Sequence, residues 1–284
     1  MCAQKIAVVT DSTTYIPQDV VQRFDLSVIP LNVIWGDEGF KDGVEIDPTT
    51  FYQRLQSSKT MPTTSQPSAG EFVDFFRQVA EAKNVDTVVG IFISSDLSGT
   101  IASAVAAKSL LPDLRIEVVD SRSTSMGEGF QALAAAGAAQ AGASLNEVLE
   151  AAQQVRYRQR ILFLVDTLEF LHRGGRIGGA KRLLGTAFKI KPILELDGTI
   201  DAVEQVRTRK KAKARLMEMI QERRGTAQIA QAAVVHAAAL EEAHEMKQEL
   251  IEMLNIEDAY IAEVSPVIGS HVGPGTVGVA FYTH

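Results

Sequence analysis

The chain has 284 residues, 46% hydrophobic and 22% charged, with a formal net charge of -7. This is the balance of a folded globular protein; it excludes a disordered chain and a broad basic surface for nucleic acid. Cys2 is the single cysteine, so no intramolecular disulfide can form, and a reducing, cytoplasmic compartment is expected.

The first ten residues are too short and too early charged for a signal peptide. They read as a buried strand, Ile6–Thr10, closed by the turn Asp11-Ser12-Thr13. A helix is predicted over Gln18–Phe24 and an extended run over Leu26–Trp35. Asp47-Pro48 is an N-cap followed by proline at the first helical position. Ser68-Ala-Gly-Glu71 is a capping box that opens an amphipathic helix. Val85–Ile93 is an apolar strand running into Ser94–Thr100, and Arg115–Asp120 is another, leading into a polar turn. Ala132–Ala143 is interrupted by Gln140 and glycines and reads as a closely packed core helix. No uninterrupted apolar run is long enough to cross a bilayer, so no stable membrane insertion is expected. Ser144-Leu-Asn-Glu147 is a second capping box. The αβ alternation predicts a mostly parallel sheet flanked by helices, with ligands beyond the carboxyl ends of its strands, after residues 6–10, 85–93 and 115–120.

The second half reads as an α/β unit with a mixed sheet. Ile161–Thr167 is a strand; Pro192–Leu196 and Thr199–Val206 form a hairpin around Asp197-Gly198, suited to a two-residue primed turn. Helices are expected over Thr208–Arg224 and Leu240–Leu254, and strands over Ile229–Ala237, Ala259–Val267 and Thr276–Tyr282. The domain boundary falls between Val155 and Ile161, giving domains 1–158 and 159–284 packed directly on each other.

Three loops share one chemistry: Thr63-Thr64-Ser65-Gln66-Pro67-Ser68, Ser94–Thr100, and a glycine-rich loop Ser265–Thr276 that carries His271. Together they suggest hydroxyls and one imidazole gathered around a small anion such as a carboxylate, and Ser12 at the end of the first strand is a further candidate contact. Gly273-Pro-Gly-Thr-Val-Gly278 spells a dinucleotide fingerprint, but a strand and not a helix follows it. Gly174–Lys181 lacks the Gly-Lys-Ser/Thr ending of a phosphate loop, which leaves a glycine-rich turn or an anion or partner site using Arg173 and Arg176. No G-x-S-x-G elbow supports a Ser95–His271–Asp11 triad, and the histidines lack metal-ligand spacing. The basic run Arg207–Arg215 opens a helix, where the macrodipole disfavours cations; it is either a solvated face or a docking surface for an acidic or phosphorylated partner.

Val-Val-Thr-Asp-Ser-Thr (8–13), Thr-Thr-Ser-Gln-Pro-Ser (63–68), Ser-Ser-Asp-Leu-Ser-Gly-Thr (94–100), Arg-Gly-Gly-Arg-Ile (173–177), Lys-Pro-Ile-Leu (191–194) and Val-Arg-Thr-Arg-Lys (206–210), with the final glycine-rich stretch, resemble the DegV family across nearly the whole chain. Its members include the fatty-acid-binding subunits (FakB type) of bacterial fatty acid kinase. The resemblance implies a two-domain α/β protein with a fatty acid tunnel between the lobes. Thr63 or Thr64, with Ser65, and Ser94 or Ser95 match the hydroxyls near the carboxylate; His271 and Arg173 match positions near that head group. Arg207, with Arg209 beside it, matches the basic site presented to the kinase catalytic subunit, which phosphorylates the carboxylate. The carrier itself then has no catalytic residue, no metal and no cofactor beyond the long-chain fatty acid. The competing reading is an enzyme acting on a small carboxylate or phosphate through Ser95 and His271.

Overall fold

The structure, a computed structural model, describes residues 5–185 and 190–284; Cys2 lies outside them. In chain order the first half runs β1 (Ile6–Asp11), α1 (Gln18–Arg23), β2 (Ser27–Ile29), β3 (Asn32–Trp35), β4 (Glu38–Lys41), α2 (Pro48–Ser57), β5 (Thr63–Ser65), α3 (Ala69–Lys83), β6 (Thr87–Phe92), α4 (Thr100–Ser109), β7 (Arg115–Asp120), α5 (Ser125–Gln140) and α6 (Leu145–Arg158). The second half runs β8 (Gln159–Leu164), α7 (Glu169–Arg173), β9 (Lys191–Asp197), β10 (Thr199–Val206), α8 (Arg209–Arg224), β11 (Ile229–His236), α9 (Leu240–Leu254), β12 (Tyr260–Glu263), α10 (Pro266–Val272) and β13 (Val277–Thr283).

The fold is α/β with a parallel and a mixed sheet. β2-β1-β6-β7 is parallel throughout. β10-β9-β8-β13-β11-β12 is mixed, with only the β11–β12 pair parallel. A small antiparallel sheet, β4-β3-β5, forms the third. The strands of the two larger sheets divide at α6, and one hydrophobic cluster spans both halves, from Val8 and Phe51 to Val235 and Ala280. α5 is buried on nearly every side. It packs on β1 and β6 and also on β8, β11 and β13, which explains its alanine and glycine content: a helix between two sheets has no polar face to offer.

Local signals act as expected. Both capping boxes form, at Ser68/Glu71 and Ser144/Glu147, and Asp47 caps α2 through Thr50 N at 2.9 Å. Three expectations change. The run Leu26–Trp35 breaks at Pro30 into β2 and β3, which belong to different sheets, because proline cannot donate to a continuing ladder. The β9–β10 hairpin is tighter than a two-residue turn: Asp197 pairs with Thr199, leaving Gly198 alone between them at φ +73. Most of the glycine-rich segment before the last strand is helix α10, with only 273–276 left as a turn, and the strand before it stops at Glu263.

Candidate functional site

A narrow cavity of about 80 Å³ lies between the halves. Its walls are mainly aliphatic and aromatic: Leu31 and Ile93 come from the first half, and Ile161, Phe163, Val235 and Val264 from the second. Ile93 follows β6, Ile161 and Phe163 lie in β8, Val235 in β11, and Leu31 and Val264 beside β3 and β12; of the three expected ligand-side loops of the parallel sheet, those after β6 and β7 line the cavity and the one after β1 does not.

Two short elements bring polar groups to this wall. β5 is held in the small antiparallel sheet, where Thr64 lies opposite Val33. α10 is held by its own cap: Ser265 Oγ accepts from Ile268 N at 3.3 Å, and Pro266 occupies the first turn. The helix lies close against α2, where a side chain at Gly269 would strike Tyr52 and Phe51. This packing places His271 Nε2 2.8 Å from Thr64 Oγ1, with both residues lining the cavity. Burial, and secondly the Arg176 charge, lower the imidazole to a pKa of about 4. The ring is therefore neutral at physiological pH and carries one N–H. Its Nδ1 faces Gly174 and makes no hydrogen bond. With the proton on Nε2, the ring donates to Thr64 Oγ1 and leaves the Thr64 hydroxyl proton for a ligand oxygen.

Other expected residues are distributed unequally. Ser65 lines the cavity and accepts from Asn32 Nδ2 at 3.2 Å. Thr63 is exposed in β5 opposite Ile34. Ser94 is buried but donates to Gly198 O at 2.7 Å across the two halves. Ser95 is exposed and donates to Asp120 Oδ2 at 2.6 Å. Ser12 donates to the buried Asp42 at 2.7 Å and receives Leu31 N. None of these last four is part of the cavity lining. Arg173 is exposed and paired with Glu169 at 2.5 Å; Arg176, three residues on, is the arginine that reaches the cavity. Its Nε donates to Leu97 O at 3.0 Å and its Nη1 to Gly174 O at 2.7 Å, while Nη2 makes no hydrogen bond among the described residues.

No triad assembles from Ser95, His271 and Asp11. Ser95 is bound to Asp120 and His271 to Thr64, and Asp11 accepts from Ile93 N and from Thr13. Asp11 instead joins Thr10, Thr13 and Glu128 in a buried polar knot. Burial raises both carboxyls above the ordinary carboxylate range. Among the described residues no group of histidine, cysteine and carboxylates has metal-site geometry.

The basic run also divides. Arg209 is held entirely within the chain, by Glu242, Asp166 and Gly275 O. Lys213 and Arg215 are paired with Glu245 and with Glu204, Glu218 and Glu222. These acids answer the macrodipole cost that the sequence raised at this helix start. Arg207 is exposed and has no partner among the described residues.

Sequence reasoning missed Thr124 and Ser125 as cavity residues. The available signal was positional: they end the polar turn after the strand at 115–120, one of the three expected ligand-side loops.

A family model described as uncharacterised protein, DegV family, matches residues 5–284. A DegV domain-containing protein of Streptomyces coelicolor is 39% identical over 279 residues, covering 98% of each chain. Among solved structures, a fatty-acid-binding DegV family protein from Thermus thermophilus superposes with a TM-score of 0.92 at 36% identity, over 99% of this chain and 100% of that one. DegV of Bacillus subtilis, described as a fatty acid binding protein, gives a TM-score of 0.89 at 35% identity, with the same coverage.

Proposed function

The chain belongs to the DegV family, and from that we propose that it holds a long-chain fatty acid in the cavity between its halves, with the carboxylate at Thr64 and His271. The observation that carries this reading is an apolar cavity whose wall includes one neutral hydroxyl–imidazole couple. Burying an acyl chain gains roughly 0.8 kcal/mol per CH₂ before ordering costs, so the hydrocarbon supplies most of the affinity. The head group needs only orientation. Thr64 and Ser65 offer neutral hydrogen bonds, and Arg176 Nη2 offers a charged one at the edge. No bidentate guanidinium fork encloses the acid, so its nucleophilicity is retained.

A carboxylate held this way is suited to presentation. We take the chain to be a carrier, with no chemistry of its own, that offers the bound acid to a separate kinase catalytic subunit for acyl-phosphate formation and entry into phospholipid synthesis. In-line phosphoryl transfer depends on positioning and electrostatics, and the carrier contributes the first of these. Arg207 is the docking cation on this reading, because it is exposed and unpaired where Arg209 is not.

Mass spectrometry of lipid extracted from purified protein tests the binding. A stoichiometric fatty acid is expected; protein that carries none and takes up none when offered refutes it. For presentation, Arg207→Ala is expected to bind fatty acid as before while acyl-phosphate formation with the kinase subunit falls at least about fivefold, on the order of 1 kcal/mol. Unchanged transfer would remove Arg207 from the interface.

A further inference from the structure

Two buried hydroxyls in the cavity have no partner among the described residues. Thr124 Oγ1 and Ser125 Oγ make no hydrogen bond there, both residues line the cavity, and they are only 8% and 7% exposed. Several buried polar atoms nearby are satisfied, although Gln131 Oε1 on the same helix and His271 Nδ1 are not. Ser121 Oγ donates to Ser123 O, Gln131 Nε2 to Ser121 O, and Thr10 and Thr13 to Glu128. Thr124 occupies the N-cap position of α5, yet its side chain does not cap the helix. The cavity wall beside α5 comes from Ile161, Phe163 and Val235, which have no donor or acceptor to offer. A buried hydroxyl left without a partner is costly, so whatever fills the cavity must supply one.

These hydroxyls stand on a different wall from the head-group couple. α5 packs on β1, β8, β11 and β13, whereas α10, which carries His271, packs on α2, β3, β5 and α7.

We propose that Thr124 and Ser125 form a second polar station in the cavity, one that receives a neutral oxygen, a hydroxyl or oxo group, on the hydrocarbon part of the ligand. The preferred ligand is then an oxygenated long-chain fatty acid. This inference rests on the fatty-acid reading above and adds the ligand class. A hydroxyl oxygen accepts from one station hydroxyl while its proton is donated to the other. A plain hydrocarbon chain leaves both station hydroxyls unpaired.

The test is competition binding of stearate and a series of its monohydroxy derivatives that differ only in the carbon bearing the hydroxyl. The fixed station predicts a sharp positional profile, with one or two adjacent positions at least about tenfold tighter than the rest, near 1.4 kcal/mol. In Thr124→Val/Ser125→Gly the profile flattens. The glycine suits the backbone, since Ser125 sits at φ +52. Should that variant fail to fold, the parent profile and Thr124→Val alone decide. A flat profile with normal stearate binding means that water serves these hydroxyls, and it overturns the station but not the fatty-acid cavity. Equal loss of stearate and of the best hydroxy isomer in the variant overturns it too, by making the pair a head-group site. If neither stearate nor any isomer binds, both readings fall.

Discussion

At the scale of single residues, the site depends on one imidazole held neutral and aimed by its neighbours. Gly174 matters because it has no side chain: a Cβ there would strike His271 Nδ1. Its φ of -73 is open to any residue, so Gly174→Ala meets no dihedral strain, although its Cβ would also lie 3.1 Å from Phe170 O. The expected result is a displaced ring, a broken contact with Thr64, and fatty acid affinity lowered about tenfold, the scale of one hydrogen bond lost with its partner left buried. Titration calorimetry on the alanine variant measures this, and unchanged affinity would take His271 out of head-group binding. Asp42 gives a pH prediction. It accepts from Ser12, and its Oδ1 makes no hydrogen bond of its own, although the Ser265 hydroxyl and Val267 amide ease the charge. Burial lifts its pKa from the ordinary 3.8 to about 7. Between those values the folded state binds more protons than the unfolded one, so this carboxyl subtracts stability as pH rises through that window. Asp42→Asn keeps an acceptor for Ser12 and removes the titration. Its stability relative to the parent should therefore grow between pH 5 and 8 by on the order of 2 kcal/mol, read from denaturant melts at both values. A constant difference would mean that Asp42 is already charged at the lower pH.

At the scale of elements, what was legible followed from whether a local signal or a tertiary contact decided the outcome. The helices opened by Ser68, Ser144 and Asp47 were readable because the cap and its partner lie within four residues. Ser265-Pro266 is the same signal as Asp47-Pro48, yet α10 was read as a loop. Three glycines hid it, and one of them, Gly269, is there for a tertiary reason, contact with Tyr52 and Phe51 of α2. The hydroxyl loops showed which chemistry to expect, but not which hydroxyl faces inward. Thr64 and Ser65 line the cavity while Ser94 and Ser95 bond to Gly198 and Asp120, partners distant in sequence. The resemblance points to Arg173 at the head group; the short helix α7 turns that residue outward to Glu169, and Arg176 reaches the cavity instead. Because α10 is a single capped element, its cap controls the site. Ser265→Ala should cost about 1 kcal/mol of stability and should also weaken fatty acid binding, since His271 sits in the last turn of that helix. Stability lost with full affinity retained would show that packing against α2 alone positions the histidine.

At the scale of the molecule, the cavity is closed by bonds that join the two halves. Ser94 donates to Gly198 O, Gly198 N donates to Arg122 O, and Arg122 pairs with Asp96 and, more distantly, with Asp197. Tyr52 donates to Val264 O at 3.0 Å from the other side. Arg176 also lines the cavity and ties the turn after α7 to Leu97 O in the first half. Opening some of these bonds would widen the way for a long acyl chain, and the more exposed ones open at least cost. Arg176→Met keeps most of the apolar stem and removes every donor. A charged hydrogen bond contributes about 1.5–3 kcal/mol, so opening at that edge should become at least tenfold more frequent. The expected outcome is faster release of bound fatty acid, followed by stopped-flow displacement with an excess of unlabelled ligand. Melting temperature should fall only by the few degrees that this one bond accounts for, because the large shared core from Val8 to Ala280 is untouched. Release at the parental rate would place the entrance elsewhere on the rim and leave Arg176 as a head-group contact only.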